Sequence, residues 1–147
     1  MLRNRGMAVS LACVIALSAA ACSHRQPPDP PPPDGTQVIA PGPDVPAAIA
    51  AFSGSWHGYW DGKIESLLVV ERISRAGEAA GVYAWSIDPD GAFQAGSMTF
   101  QGTIASGVLS FGSRVRFDFA MKPDGTLFGQ RTIDGVRDDD VVMTRVP

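Results

Sequence analysis

The spacing of hydrophobic and polar residues changes character twice along this chain. Met7–Ala21 is uncharged and largely apolar, His24–Pro46 is polar and proline-rich without any period, and beyond Phe52 apolar residues recur at every second position. Val115, Phe117, Phe119 and Met121 share one strand face, opposite Arg114, Arg116, Asp118 and Ala120. Met98, Phe100 and Ile104 oppose Thr99, Gln101 and Thr103 in the same way. A period of two with one wet face is the mark of antiparallel sheet. The pattern predicts strands over Ser53–Asp61, Glu65–Ile73, Ala80–Ile87, Ser97–Ala105, Val108–Gly112, Arg114–Met121, Thr126–Thr132 and Asp138–Val146, after one helical turn at Ala47–Ala51. The breaks are turn chemistry: Asp61-Gly62, Arg75-Ala76-Gly77, Asp88-Pro89-Asp90-Gly91, Ser106-Gly107, Pro123-Asp124-Gly125 and Asp134-Gly135. Glycine supplies the positive φ that tight hairpins need, and Pro and Asp preset the turn entry. No long helical pattern separates the strands, which argues against parallel βαβ units. The expected fold is therefore all-β: an up-and-down antiparallel meander of about eight strands, closed into a small barrel because closure removes exposed edges. A β-sandwich is the rival, but consecutive hairpins leave little chain for Greek-key crossovers.

The first 21 residues read as an export signal: Arg3 and Arg5, then the apolar run, then Ala19-Ala20-Ala21 before Cys22. The run is shorter than the roughly 20 apolar residues that a spanning helix needs. Simple secretion with ordinary cleavage is the alternative. Ala19-Ala20-Ala21-Cys22 resembles the bacterial lipoprotein lipobox, with Ala19 where the family usually has Leu. That resemblance implies cleavage before Cys22 and a diacylglyceryl thioether plus palmitate-type acylation on it. Ser23, rather than Asp, then favours the outer membrane over the inner one, facing the periplasm. Residues 22–46 form the lipidated cysteine and a Pro-rich disordered linker, in which proline favours extended polyproline II. Fully extended it reaches on the order of 70 Å. A PxxP ligand is the less economical reading of the same stretch. Residues 47–147 remain for the barrel domain, enough to fold without a metal or disulfide.

Loss of the leader takes Arg3 and Arg5 with it, which reduces the 12 basic side chains to 10 against 15 acidic ones. That balance disfavours nucleic acid and anionic surfaces, both of which need clustered Lys and Arg. Cys13 leaves with the leader, so no disulfide is available to the mature chain, although an oxidising compartment would permit one.

Gly54-Ser55-Trp56 and Gly58-Tyr59-Trp60 place two Gly-x-Trp units in tandem, with both indoles on one strand face. This opening resembles that of lipocalin-like (calycin) barrels. The resemblance implies that Trp56 plugs one barrel end and that Arg145, on the last strand, packs over it. A cation over an indole contributes roughly 0.5–2 kcal/mol. Trp60, Phe100, Phe117 and Phe119 are the candidate lining of a pocket, with Tyr83 and Trp85 also available. Eight strands enclose only side chains or one small ligand, and plain core filling is the simpler expectation.

Candidate chemistry is sparse. His57 alternates onto the outer face, and no Gly-x-Ser-x-Gly elbow accompanies it. Calcium takes six to eight oxygen ligands. Asp138-Asp139-Asp140 cannot converge on one ion while successive strand residues point to opposite faces, so the run is expected to be a solvated strand entry that blunts edge pairing. No catalytic residue, metal or cofactor is expected. The expected function is a non-enzymatic, membrane-anchored envelope lipoprotein whose barrel binds a small apolar ligand or a protein partner. Two other classes remain: a protease inhibitor of the small eight-stranded barrel type, using the segment before Phe52 as an arm, and a structural envelope module.

Overall fold

The computed structural model describes residues 33–147. The expected leader, Cys22 and the first part of the spacer lie outside the described residues. Beyond them a single turn of helix, α1 (Ala47–Ala50), precedes eight strands: β1 (Gly54–Trp60), β2 (Ile64–Ile73), β3 (Glu78–Trp85), β4 (Gly96–Ala105), β5 (Val108–Gly112), β6 (Val115–Met121), β7 (Leu127–Ile133) and β8 (Val136–Val146). Each strand pairs antiparallel with the next, and β8 returns to pair with β1 through Trp56↔Arg145 and Gly58↔Met143, closing the barrel. The protein is an all-β meander closed on itself.

The hairpins close where the sequence places small turn residues. Ser106-Gly107 and Asp134-Gly135 are two-residue turns with positive φ at both positions, 50° and 77° for the first and 49° and 82° for the second. Such turns twist in the sense that adjoining strands require. The strands match their expected spans to within two residues at each end, and the largest differences are local. β8 starts at Val136 rather than Asp138 because a bulge shifts its register, pairing Arg131 with Asp139 but Thr132 with Arg137. A second bulge interrupts β2 between Val70 and Arg72. Glu71, the residue it leaves over, accepts two backbone bonds from the preceding segment: Ile39 N–H to its carbonyl at 2.8 Å and Gln37 N–H to its Oε1 at 3.0 Å. A bulged residue has no ladder partner, and here the incoming chain supplies one.

Alternation sends Trp56, Trp60, Leu68, Val70, Tyr83, Phe100, Ile104, Leu109, Phe111, Phe117, Phe119, Leu127, Val141 and Met143 into one interior cluster. Fully burying one such side chain stabilises by about 1.5–3 kcal/mol. Meander topology gives the barrel two unlike ends. One receives α1 and the turns joining β2–β3, β4–β5 and β6–β7. The other carries the turns β1–β2, β5–β6 and β7–β8 together with the ten-residue β3–β4 loop. Both edges of β8 are paired, with β7 and with β1. The β1 pairing spans only Met143–Val146, so the aspartate run pairs with β7 on one side and lies beyond the β1 ladder on the other.

Candidate functional site

The end nearest α1 is sealed. Phe52 and Trp56 are completely buried, and the Trp56 indole N–H donates to the Phe52 carbonyl at 2.9 Å. The Arg145 guanidinium lies 4.2 Å from the Trp56 ring centroid. Its two terminal nitrogens donate to the Ser53 carbonyl at 2.5 Å and the Ala51 carbonyl at 2.6 Å. The three carbonyls that leave α1 are thus all satisfied by these two side chains. Gly54, at φ 119°, lies so near Arg145 that a Cβ there would collide with the guanidinium. The Gly-x-Trp unit and Arg145 act together as one closure.

The opposite end is open at its rim, above a packed floor in which Trp60, Tyr83 and Phe117 are buried. A cavity of about 860 Å³ opens between the β1–β2 turn, the β3–β4 loop and the β7–β8 hairpin. Its apolar wall comes from Trp60, Tyr83, Trp85, Phe93, Met98 and Phe117. The floor is a polar-tipped aromatic stack: Trp60 N–H donates to the Tyr83 hydroxyl at 2.6 Å, and Tyr83 donates to Ser66 Oγ at 3.1 Å. Burial pushes the Tyr83 phenol above its ordinary value, so it remains a neutral donor. Tyr83 and Phe117 rings pack at 4.7 Å.

Of the four residues expected to line a pocket, Trp60 and Phe117 reach the cavity. Phe100 and Phe119 lie deeper: Phe100 is stacked on Phe111 at 4.2 Å, and Phe119 is fully buried with its ring 6.2 Å from that of Trp60. They support the floor instead of touching its open side. The aromatic side chains fill the barrel interior as one cluster, and the cavity lies above them at the open end.

The mouth carries charge that alternation could not place. Asp138 and Asp139 both line the cavity, because the β8 bulge inserts Asp138 and breaks the strict alternation of faces. Arg131, on β7, projects inward with only 17% of its side chain exposed. Its Nε donates to Asp138 at 2.6 Å, and its guanidinium lies 5.4 Å from the Trp60 ring centroid. Asp88 sits at the entrance of the β3–β4 loop, accepting from the N–H groups of Asp90 at 2.9 Å and Ala92 at 3.1 Å. The loop is fixed further by Trp85 N–H to the Gln94 carbonyl at 3.0 Å, and by Lys63 to Asp90 at 3.0 Å. Asp90 and Asp61 hold the Lys63 ammonium above its ordinary value. The Asp88-Pro89-Asp90-Gly91 stretch is a turn, as its composition indicates, and it also presents Ala92 and Phe93 to the cavity.

His57 points outward, as expected, but onto a buried acid. Its Nε2 is 2.5 Å from Glu65 Oε1, which also accepts from the Tyr59 hydroxyl at 3.1 Å. Glu65 is 2% exposed, and its Oε2 has no hydrogen-bond partner. The Glu65 N–H donates to Ser86 Oγ at 3.0 Å, and no group of three metal-ligating side chains occurs among the described residues. No helix among the described residues is long and apolar enough to cross a membrane. No protein-family model matches the chain, and no curated protein matches it.

Proposed function

We propose that this chain is a non-enzymatic lipoprotein of the bacterial envelope, anchored through Cys22, that binds a small apolar ligand in the open half of its barrel. The observation that carries the reading is the aromatic-walled cavity of about 860 Å³. Ligand sites of roughly 300–1,000 Å³, mostly apolar with a few placed polar groups, are the usual form of small-molecule pockets. The closure by Trp56 and Arg145 supports kinship with lipocalin-like barrels. The leader composition and Ser23 support the anchor and an outer-membrane, periplasm-facing location. The inhibitor alternative needs a free arm ahead of Phe52, whereas Gln37 and Ile39 are bonded to the barrel wall.

Native mass spectrometry of the full chain purified from its own cells is the direct test. One small apolar molecule per chain is the expected result, absent from Met98→Trp, which fills the space without removing the wall. Ligand-free spectra for both proteins, with no apolar probe raising the melting temperature, would overturn the reading. The anchor is tested separately: labelled palmitate enters the natural chain and not Cys22→Ser. Label retained by that variant would remove the anchor and leave the cavity reading intact.

A further inference from the structure

The charge around the mouth narrows what the cavity takes. Five carboxylates line it, those of Asp61, Asp88, Asp90, Asp138 and Asp139, against two basic groups, Lys63 and Arg131. Both bases are already engaged: Lys63 with Asp90 and Asp61, and Arg131 with Asp138. The Asp88 oxygens are turned to backbone N–H groups of its own loop. Asp139 stands directly across from Arg131 in the β7–β8 register, yet among the described residues it has no basic partner. One of its oxygens accepts from the Asp140 N–H at 2.7 Å. The apolar wall beneath sets aromatic rings among Ile64, Met98, Val115 and Ile133, and ring faces attract cations. The wall already holds one planar cation in this manner, the Arg131 guanidinium over Trp60. An incoming anion would meet an excess of three negative charges with both bases occupied.

We infer that the ligand is an organic cation: an apolar, aromatic-sized body bearing one fixed positive charge, its body against Trp85, Phe93 and Met98 and its charge beside Asp139. This rests on the cavity-binding reading above. Asp139 is then the specificity-determining residue, while Asp138 keeps Arg131 from repelling the ligand.

Three probes of nearly one shape separate the charge question from the cavity question: tetraphenylphosphonium, neutral triphenylphosphine oxide and anionic tetraphenylborate. Each is titrated calorimetrically into the full chain carrying Cys22→Ser, at low ionic strength and again at high salt. The phosphonium is expected to bind about tenfold more tightly than the neutral probe, the size of one cation–ring contact plus one weakly screened charge. The borate is expected to bind most weakly. Asp139→Asn, an isosteric change at the mouth, should reduce the phosphonium's advantage severalfold and leave the neutral probe unaffected. Asp138→Asn, by releasing Arg131, should raise the borate's affinity. A neutral or anionic probe that binds as well as the phosphonium overturns the cation assignment while the cavity reading stands. An unchanged phosphonium preference in Asp139→Asn overturns the role of Asp139. Failure of all three probes to bind overturns the cavity reading together with this one.

Discussion

Trp56→Ala is expected to lower the unfolding free energy of the barrel by about 3–5 kcal/mol, the range for removing a large aromatic from a packed interior. The indole is completely buried, so its loss opens a void that the rigid end of a closed barrel cannot collapse. It also strips the Phe52 carbonyl of its donor and leaves the Arg145 guanidinium without the ring beneath it. Arg145→Ala should cost less, about 1–3 kcal/mol, through the Ser53 and Ala51 carbonyls that it leaves unpaired. The two losses share partners, so the double variant should fall short of their sum. Urea unfolding followed by tryptophan fluorescence measures all three. A loss below about 1 kcal/mol for Trp56→Ala would mean that α1 and Phe52 seal the end unaided.

His57→Ala is expected to cost about 1–2 kcal/mol, for a different reason. Removing the hydrogen-bond partner of an enclosed acid leaves its oxygen unsatisfied, at about 1–3 kcal/mol. The figure is lower here because 27% of the His57 side chain is exposed to solvent. Glu65 is the enclosed partner, and one of its oxygens already lacks a hydrogen bond. Adding Glu65→Leu to His57→Ala should therefore restore most of the stability, since no carboxylate then remains to be desolvated. A double-mutant cycle in urea measures the coupling. If His57→Ala matches the natural chain, the pair contributes nothing and the outer wall is held by its ladder alone.

How far the sequence could be read depended on whether the deciding feature was local. Strands and turns are local: Ser106-Gly107 and Asp134-Gly135 each carry their own φ requirement, and the alternation from Val115 to Met121 needs no distant residue to be seen. Strand parity separates inside from outside, so Trp60, Phe100, Phe117 and Phe119 were all rightly directed inward. Parity does not give height along the barrel axis. Phe100 and Phe119 are low because each lies several residues from the open-end turns, whereas Trp60 immediately precedes one. Counting from each turn would have separated the wall from the floor. The approach of Asp138 and Asp139 to one opening is not legible in the sequence, because a bulge leaves no mark in the hydrophobic pattern. One extra residue in β8 brings Asp138 and Asp139 to the same opening. Glu65 escaped notice for a related reason: it lies on the outer face, where acids are ordinarily solvated, yet it is enclosed beside His57 and Tyr59.

The attachment of Gln37 and Ile39 to Glu71 has a directional consequence. Glu71 lies near the plugged base, opposite the rim formed by Trp60 and Trp85. The described chain ahead of β1 therefore meets the barrel at its plugged end and leaves the mouth clear. A ligand can then enter or leave without displacing that segment.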